Sequence, residues 1–182
     1  MNGAEKNIQP HQKLFNKNKI IQACSHAFNI LKNYYHFEQI PEVSQFLMDP
    51  IPEDLGDGRV LFEEYENDFF IGLQFGEKIY TQLETNEIIS SHLAAVISEE
   101  CSHFKLIFDT VNFDSKTTRV NLEILGEIDR FLCLMHWNFF MSSKKISCQW
   151  KNLHEICDSV FTGDRFKNID THIYIEAEQK AF

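Results

Sequence analysis

Two long apolar stripes at helical spacing constrain this chain more than any other feature. One runs from Asn86 to about Asp109 and the other from Val120 to Met141, with Asp114-Ser115-Lys116 reading as a turn between them. In the first, Ile89, Leu93, Val96, Phe104 and Ile107 share one face at about 100° per residue. In the second, Ile124, Leu125, Ile128, Leu132 and Met135 do the same. An apolar stripe of that width must be buried against another element. The pair therefore predicts a helical bundle.

The remaining segments fit around it. Residues 1–15 are polar and read as an arm, leaving 16–182 as a single helical domain. From Asn18 to Tyr35, Ile20, Cys24, Ala27, Phe28 and Leu31 form another helical face. Pro41 opens a short helix through Leu47, since proline is tolerated in a first turn. Pro50, Pro52, Gly56 and Gly58 mark an irregular loop. The runs Val60–Glu66 and Phe69–Phe75 are rich in aromatic and β-branched residues and flank Asn67-Asp68, so a β-hairpin is expected at about 60–75. A short helix follows at Glu77–Leu83, a third helix after the two long ones at about Ser147–Phe161, and a last one at about Arg165–Ala181. The expected class is mainly α (α+β): a helical bundle with one hairpin before the long helices.

Composition narrows the function. Seventeen Phe and 43% hydrophobic residues supply a large core, so no disulfide or metal staple is needed at this length. The net charge of −10, with no Lys/Arg cluster, disfavours nucleic acid and anionic membrane surfaces as partners. Five cysteines without a C-x-x-C motif indicate neither a disulfide framework nor a zinc knuckle. The start of the chain has no apolar segment of signal-peptide type. The longest apolar run, Phe131–Met141, is interrupted by His136 and Asn138 and falls short of the ~20 residues of a membrane span. A soluble, cytoplasmic protein is expected, although an effector exported without a signal peptide would look the same.

The chemistry-bearing feature is Glu100-x-x-His103 on the first stripe. On the helical wheel Glu100 lies near the centre of the apolar face and His103 lies within it. A carboxylate among aliphatic side chains is costly unless it is paired, hydrogen-bonded or metal-bound. Glu and His at this spacing are neighbours on a helix surface, and helical iron and manganese proteins use the pair with carboxylates from facing helices. On the second stripe, Glu127 sits at the boundary of the apolar face and can turn toward Glu100, while Glu123 sits further out. No second Glu-x-x-His exists, and His154 and Glu176 are the remaining candidates to complete a set. The alternative is a structural polar cluster: Glu100 bonded to His103, Arg130 or backbone groups. Gly126 interrupts a strong helix and implies close approach of a neighbour, while Glu127 and Arg130 read as a surface ion pair.

Glu100-x-Ser102-His103-Phe104 followed by Leu122-Glu-Ile-Leu-Gly-Glu-Ile-Asp-Arg-Phe131 resembles a pattern in an uncharacterised group of bacterial proteins. The resemblance covers about the middle third of the chain. It implies that the two segments form one structural unit and carries no function with it.

No Gly-rich phosphate loop, dinucleotide fingerprint or nucleophile elbow is present. Cys157 follows His154 by three, but it lies on an apolar face where a thiol is an inert core residue. Two functional expectations stand. One is a non-enzymatic protein that associates with another protein or with itself, through the hairpin edge or an aromatic helix face. The other is a helical metalloprotein with iron or manganese on Glu100, His103 and Glu127, completed by His154 or Glu176, with oxygen-dependent oxidation as its chemistry.

Overall fold

The computed structural model describes residues 15–37, 39–52, 55–66, 68–85, 90–112, 116–141 and 154–157, together with residues 172 and 180. It is mainly helical with one hairpin, as the periodicities predict. The order is α1 (Lys17–Leu31), β1 (Gly58–Tyr65), β2 (Asp68–Phe75), α2 (Glu77–Thr85), α3 (Ser91–Asn112) and α4 (Arg119–Met141). The expected short helix through Leu47 is only a 3-10 turn, Val43–Gln45. Of the expected helix at 147–161, residues 154–157 are described and are helical; the arm and most of the 165–181 segment lie outside the described residues.

α1 starts at Asn16, whose side chain accepts a hydrogen bond from the Asn18 backbone N–H at 3.0 Å. That satisfies one of the amides a helix N-terminus leaves open. Its buried face is Ile20, Ala23, Cys24, Ala27, Phe28 and Leu31. α3 and α4 pack along each other, α1 lies against both, and the hairpin rests on α3. Phe104 of α3 is fully buried and packs against Phe46 (ring centroids 5.1 Å apart), Phe108 and Phe28. Cys24, Cys101 and Cys133 are free thiols in this core. Burial pushes Cys101 well above its ordinary value and Cys133 up to about 12, so neither is a nucleophile at neutral pH.

The hairpin strands pair antiparallel from Gly58↔Phe75 to Tyr65↔Asp68. β1 therefore ends at Tyr65 and β2 begins at Asp68, so the turn starts at Glu66, one position earlier than the Asn67-Asp68 gap the sequence suggests. Glu66 takes the left-handed conformation, φ 54°, that glycine usually supplies in such a turn. A two-stranded sheet is marginal alone. Here Leu73 and Phe75 are buried against the helices. The outer edge of β2 is covered at its C-terminal half by the preceding loop: Leu73 N–H donates to Phe46 O, Met48 N–H to Leu73 O and Ile51 N–H to Phe75 O, each at 2.9 Å.

α4 is turned differently from what its apolar stripe predicts. Ile124, Leu125, Ile128, Leu132 and Met135 are only half-buried. The face most deeply buried carries Glu123, Gly126, Glu127 and Arg130, then Cys133, Leu134 and Trp137. This stripe is also at helical spacing, apolar in its C-terminal half and polar in its N-terminal half. The polar half packs against the part of α3 that carries Glu99, Glu100 and His103.

Candidate metal centre

Glu100 and Glu123 face the two nitrogens of the His103 ring, Glu99 lies close by, and Arg130 and Glu127 extend the cluster. The His103 side chain is 11% exposed, that of Glu100 12% and that of Glu123 7%. Glu127 and Arg130 are buried more deeply still. His103 Nδ1 faces Glu100 Oε2 at 3.9 Å, and Nε2 faces Glu123 Oε2 at 3.8 Å. Arg130 bridges the helices: Nη1 donates to Glu99 Oε2 at 3.0 Å, and Nη2 lies 3.3 Å from Glu127 Oε2. Glu127 and Arg130 therefore form a buried pair and not the surface pair suggested by their spacing. Removing one member of a buried pair leaves an uncompensated charge.

Two glycines make the room. A Cβ on Gly126 would lie 2.5 Å from His103 Nε2, and one on Gly58 would lie 2.7 Å from Glu100 Cγ. Gly126 thus lets α4 approach the imidazole, and Gly58 lets β1 lie against the Glu100 side chain. This accounts for a residue that costs about 1 kcal/mol relative to Ala inside a helix.

Burial dominates the electrostatics. It pushes the Glu100 carboxyl well above its ordinary value near 4.5, helped by the negative charges of Glu99 and Glu123. It pulls His103 below 6.5, against the opposing influence of Glu99 and of the Leu122 backbone. His103 Nε2 is buried and has no hydrogen-bond partner. A buried ring nitrogen left in that state is uncommon, since buried polar atoms are nearly always bonded.

Donor atoms from Glu99, His103 and Glu123 all lie within 4.8 Å of one another. Around a first-row dication at bond lengths near 2.1 Å, neighbouring donors sit about 3.0–3.4 Å apart. The three side chains would need to close by about 1 Å each, which rotation about Glu χ angles accommodates.

Of the residues singled out from the sequence, Glu100, His103 and Glu127 are all in this cluster. His154 is exposed and has no place in the donor group, and Glu176 lies outside the described residues. Glu99 and Glu123 were not among the expected ligands. Their signal was legible in principle: Glu123, Gly126, Glu127 and Arg130 recur at three and four, a polar stripe as regular as the apolar one beside it.

A separate cavity of about 280 Å³ is lined by Tyr35, Phe37, Ser102, Lys105, Asp109 and Asp129 among others, and by none of the cluster residues. Asp129 there accepts hydrogen bonds from the Tyr35 and Ser102 hydroxyls, each at 2.6 Å. Its carboxylate is therefore satisfied within the fold.

Among the described residues, no helix is long and apolar enough to cross a membrane. Neither the family models nor the curated proteins nor the solved structures contain a match to this chain, so the functional reading rests on its own geometry.

Proposed function

We propose that the protein binds one divalent first-row metal ion between α3 and α4, with Glu99, His103 and Glu123 as its ligands. The observation that carries this reading is geometric: donor atoms of Glu99, His103 and Glu123 lie within 4.8 Å of one another, and the buried His103 Nε2 has no hydrogen-bond partner. A dication placed among them would take Nε2 as its nitrogen ligand and the two carboxylates as its oxygen ligands.

The other residues have distinct roles in this reading. Glu100, on the Nδ1 side of the ring, fixes the orientation of the imidazole, as carboxyl groups behind metal-bound histidines commonly do. Arg130 holds Glu99 and Glu127, and the donors of Glu99, His103 and Glu123 form a single group, so the site takes one ion. Two carboxylates and one imidazole suit manganese, ferrous iron or zinc; without a thiolate ligand the set does not select cuprous copper. Glu99, with a side chain 22% exposed, is the most accessible member and lies on the path by which the ion enters.

Calorimetric titration of chelator-stripped protein with manganese tests the reading. One equivalent is expected to bind. Glu99→Gln, Glu123→Gln and His103→Ala are each expected to weaken binding by about 10- to 100-fold or more. Glu100→Gln replaces a neutral carboxyl by a neutral amide and should stay within a few-fold of the parent. Binding that survives all three ligand changes in folded protein, or no binding by the parent, overturns the assignment.

Association through the hairpin, the other expectation from the sequence, involves a different part of the molecule.

A further inference from the structure

The hairpin carries features that the metal site does not use. Among the described residues β1 pairs only with β2, so its outer edge presents unpaired backbone groups. On β1 itself Phe62 and Tyr65 are 42% and 73% exposed, and on the adjacent end of β2 Phe69 and Phe70 are 49% and 48% exposed. Phe62 and Phe69 stack on each other with centroids 6.0 Å apart and planes 18° apart. Exposed aromatics beside an open strand edge invite pairing with another strand.

The charge pattern of β1 selects the partner. The strand reads Gly58-Arg-Val-Leu-Phe-Glu-Glu-Tyr65, with its cation near one end and its anions near the other. A second β1 running antiparallel about a two-fold axis at Leu61 sets Arg59 of each copy opposite Glu63 of the other. Arg59, Leu61 and Glu63 share one face of the strand, because side chains alternate with period two. The opposite face then sets Val60 against Phe62, extending the apolar surface that continues into Leu73 and Phe75. A parallel copy in register would instead place Glu63 and Glu64 against their equivalents, and like charges directly opposed are destabilising.

We infer that β1 is the edge of a homodimer, in which two copies join their hairpins into one four-stranded antiparallel sheet through β1–β1 pairing about Leu61, with reciprocal Arg59–Glu63 contacts.

The test uses the full chain and sedimentation velocity between about 1 and 100 µM, a range chosen to span micromolar association. The parent is expected to dimerise. Arg59→Glu and Glu63→Arg are each expected to weaken self-association at least tenfold, since either change alone sets like charges opposite one another. Mixing the Arg59→Glu chain with the Glu63→Arg chain is expected to restore a dimer, because both contacts become attractive. The double variant on one chain should dimerise like the parent. Arg59 Nε also donates to Gln74 Oε1 across the hairpin at 2.8 Å, so far-UV circular dichroism and manganese stoichiometry are measured on every variant and should be unchanged. A parent monomeric throughout the range overturns the inference. So do single variants that dimerise as the parent does, a mixture that fails to associate, or a monomer whose β1 amides are protected from exchange by residues of its own chain.

Discussion

A proton on Glu100 and none on His103 is the state that burial favours, because desolvation penalises whichever form is charged. The two groups have opposite consequences for stability. Glu100, raised above its unfolded value near 4.5, contributes stability that is complete below that pH and is lost as pH rises through the folded value. His103, lowered from 6.5, leaves stability complete above that pH and removes it as pH falls through the folded value. Glu100→Gln deletes the first effect alone. In metal-free protein its melting temperature is expected to match the parent near pH 4.5 and to exceed it near pH 8, the gap widening steadily between. A variant no more stable than the parent at the higher pH would mean that Glu100 is ionised in the folded chain.

The spacing of α3 and α4 is set by the smallest residue in their contact. Alanine at position 126 would favour the helix by about 1 kcal/mol on propensity alone. Its Cβ would stand 2.5 Å from Nε2 of the largely buried His103 imidazole. Overpacking of that kind costs about 1–3 kcal/mol, so Gly126→Ala is expected to lower stability and to weaken manganese binding together. Chemical denaturation with a parallel metal titration checks both. A more stable variant with unchanged affinity would show that the helices have room to spare.

The same pair of helices shows what periodicity reveals and what it misses. The helices α1 to α4 and the hairpin were legible because each repeats at 3.6 or at 2. Glu100 and His103 were legible as inward-facing residues because α3 has only one candidate core face. α4 has two stripes, and the apolar one was expected to face the core. The polar stripe is buried there instead, because Glu123, Glu127 and Arg130 find partners on α3 and Gly126 admits the His103 ring. Pairing between helices is not encoded in either helix taken alone. For that reason Glu127 and His103 were identified singly while Glu99 and Glu123 were passed over. The one-residue shift of the hairpin turn has a local origin: Glu66 occupies a left-handed position for which its residue type gives no signal.

Across the whole molecule, acidity and burial act together. A chain of net charge −10 has few cations to offer its interior; between α3 and α4 Arg130 meets Glu99 and Glu127, and the buried Lys105 is paired with Asp109. Much of the core is apolar, with thiols and aromatics among α1, α3 and α4, and the buried Asp129 and Lys105 have partners within the fold. The polar seam around His103 departs from that pattern, and in the proposed reading an ion from solution binds there. Anomalous diffraction from crystals of the manganese-loaded chain tests this most directly. The account predicts one peak between α3 and α4, about 2.0–2.2 Å from His103 Nε2 and in contact with carboxylate oxygens of Glu99 and Glu123. A seam that stays without a peak in fully loaded crystals, or manganese held only elsewhere on the chain, would contradict it.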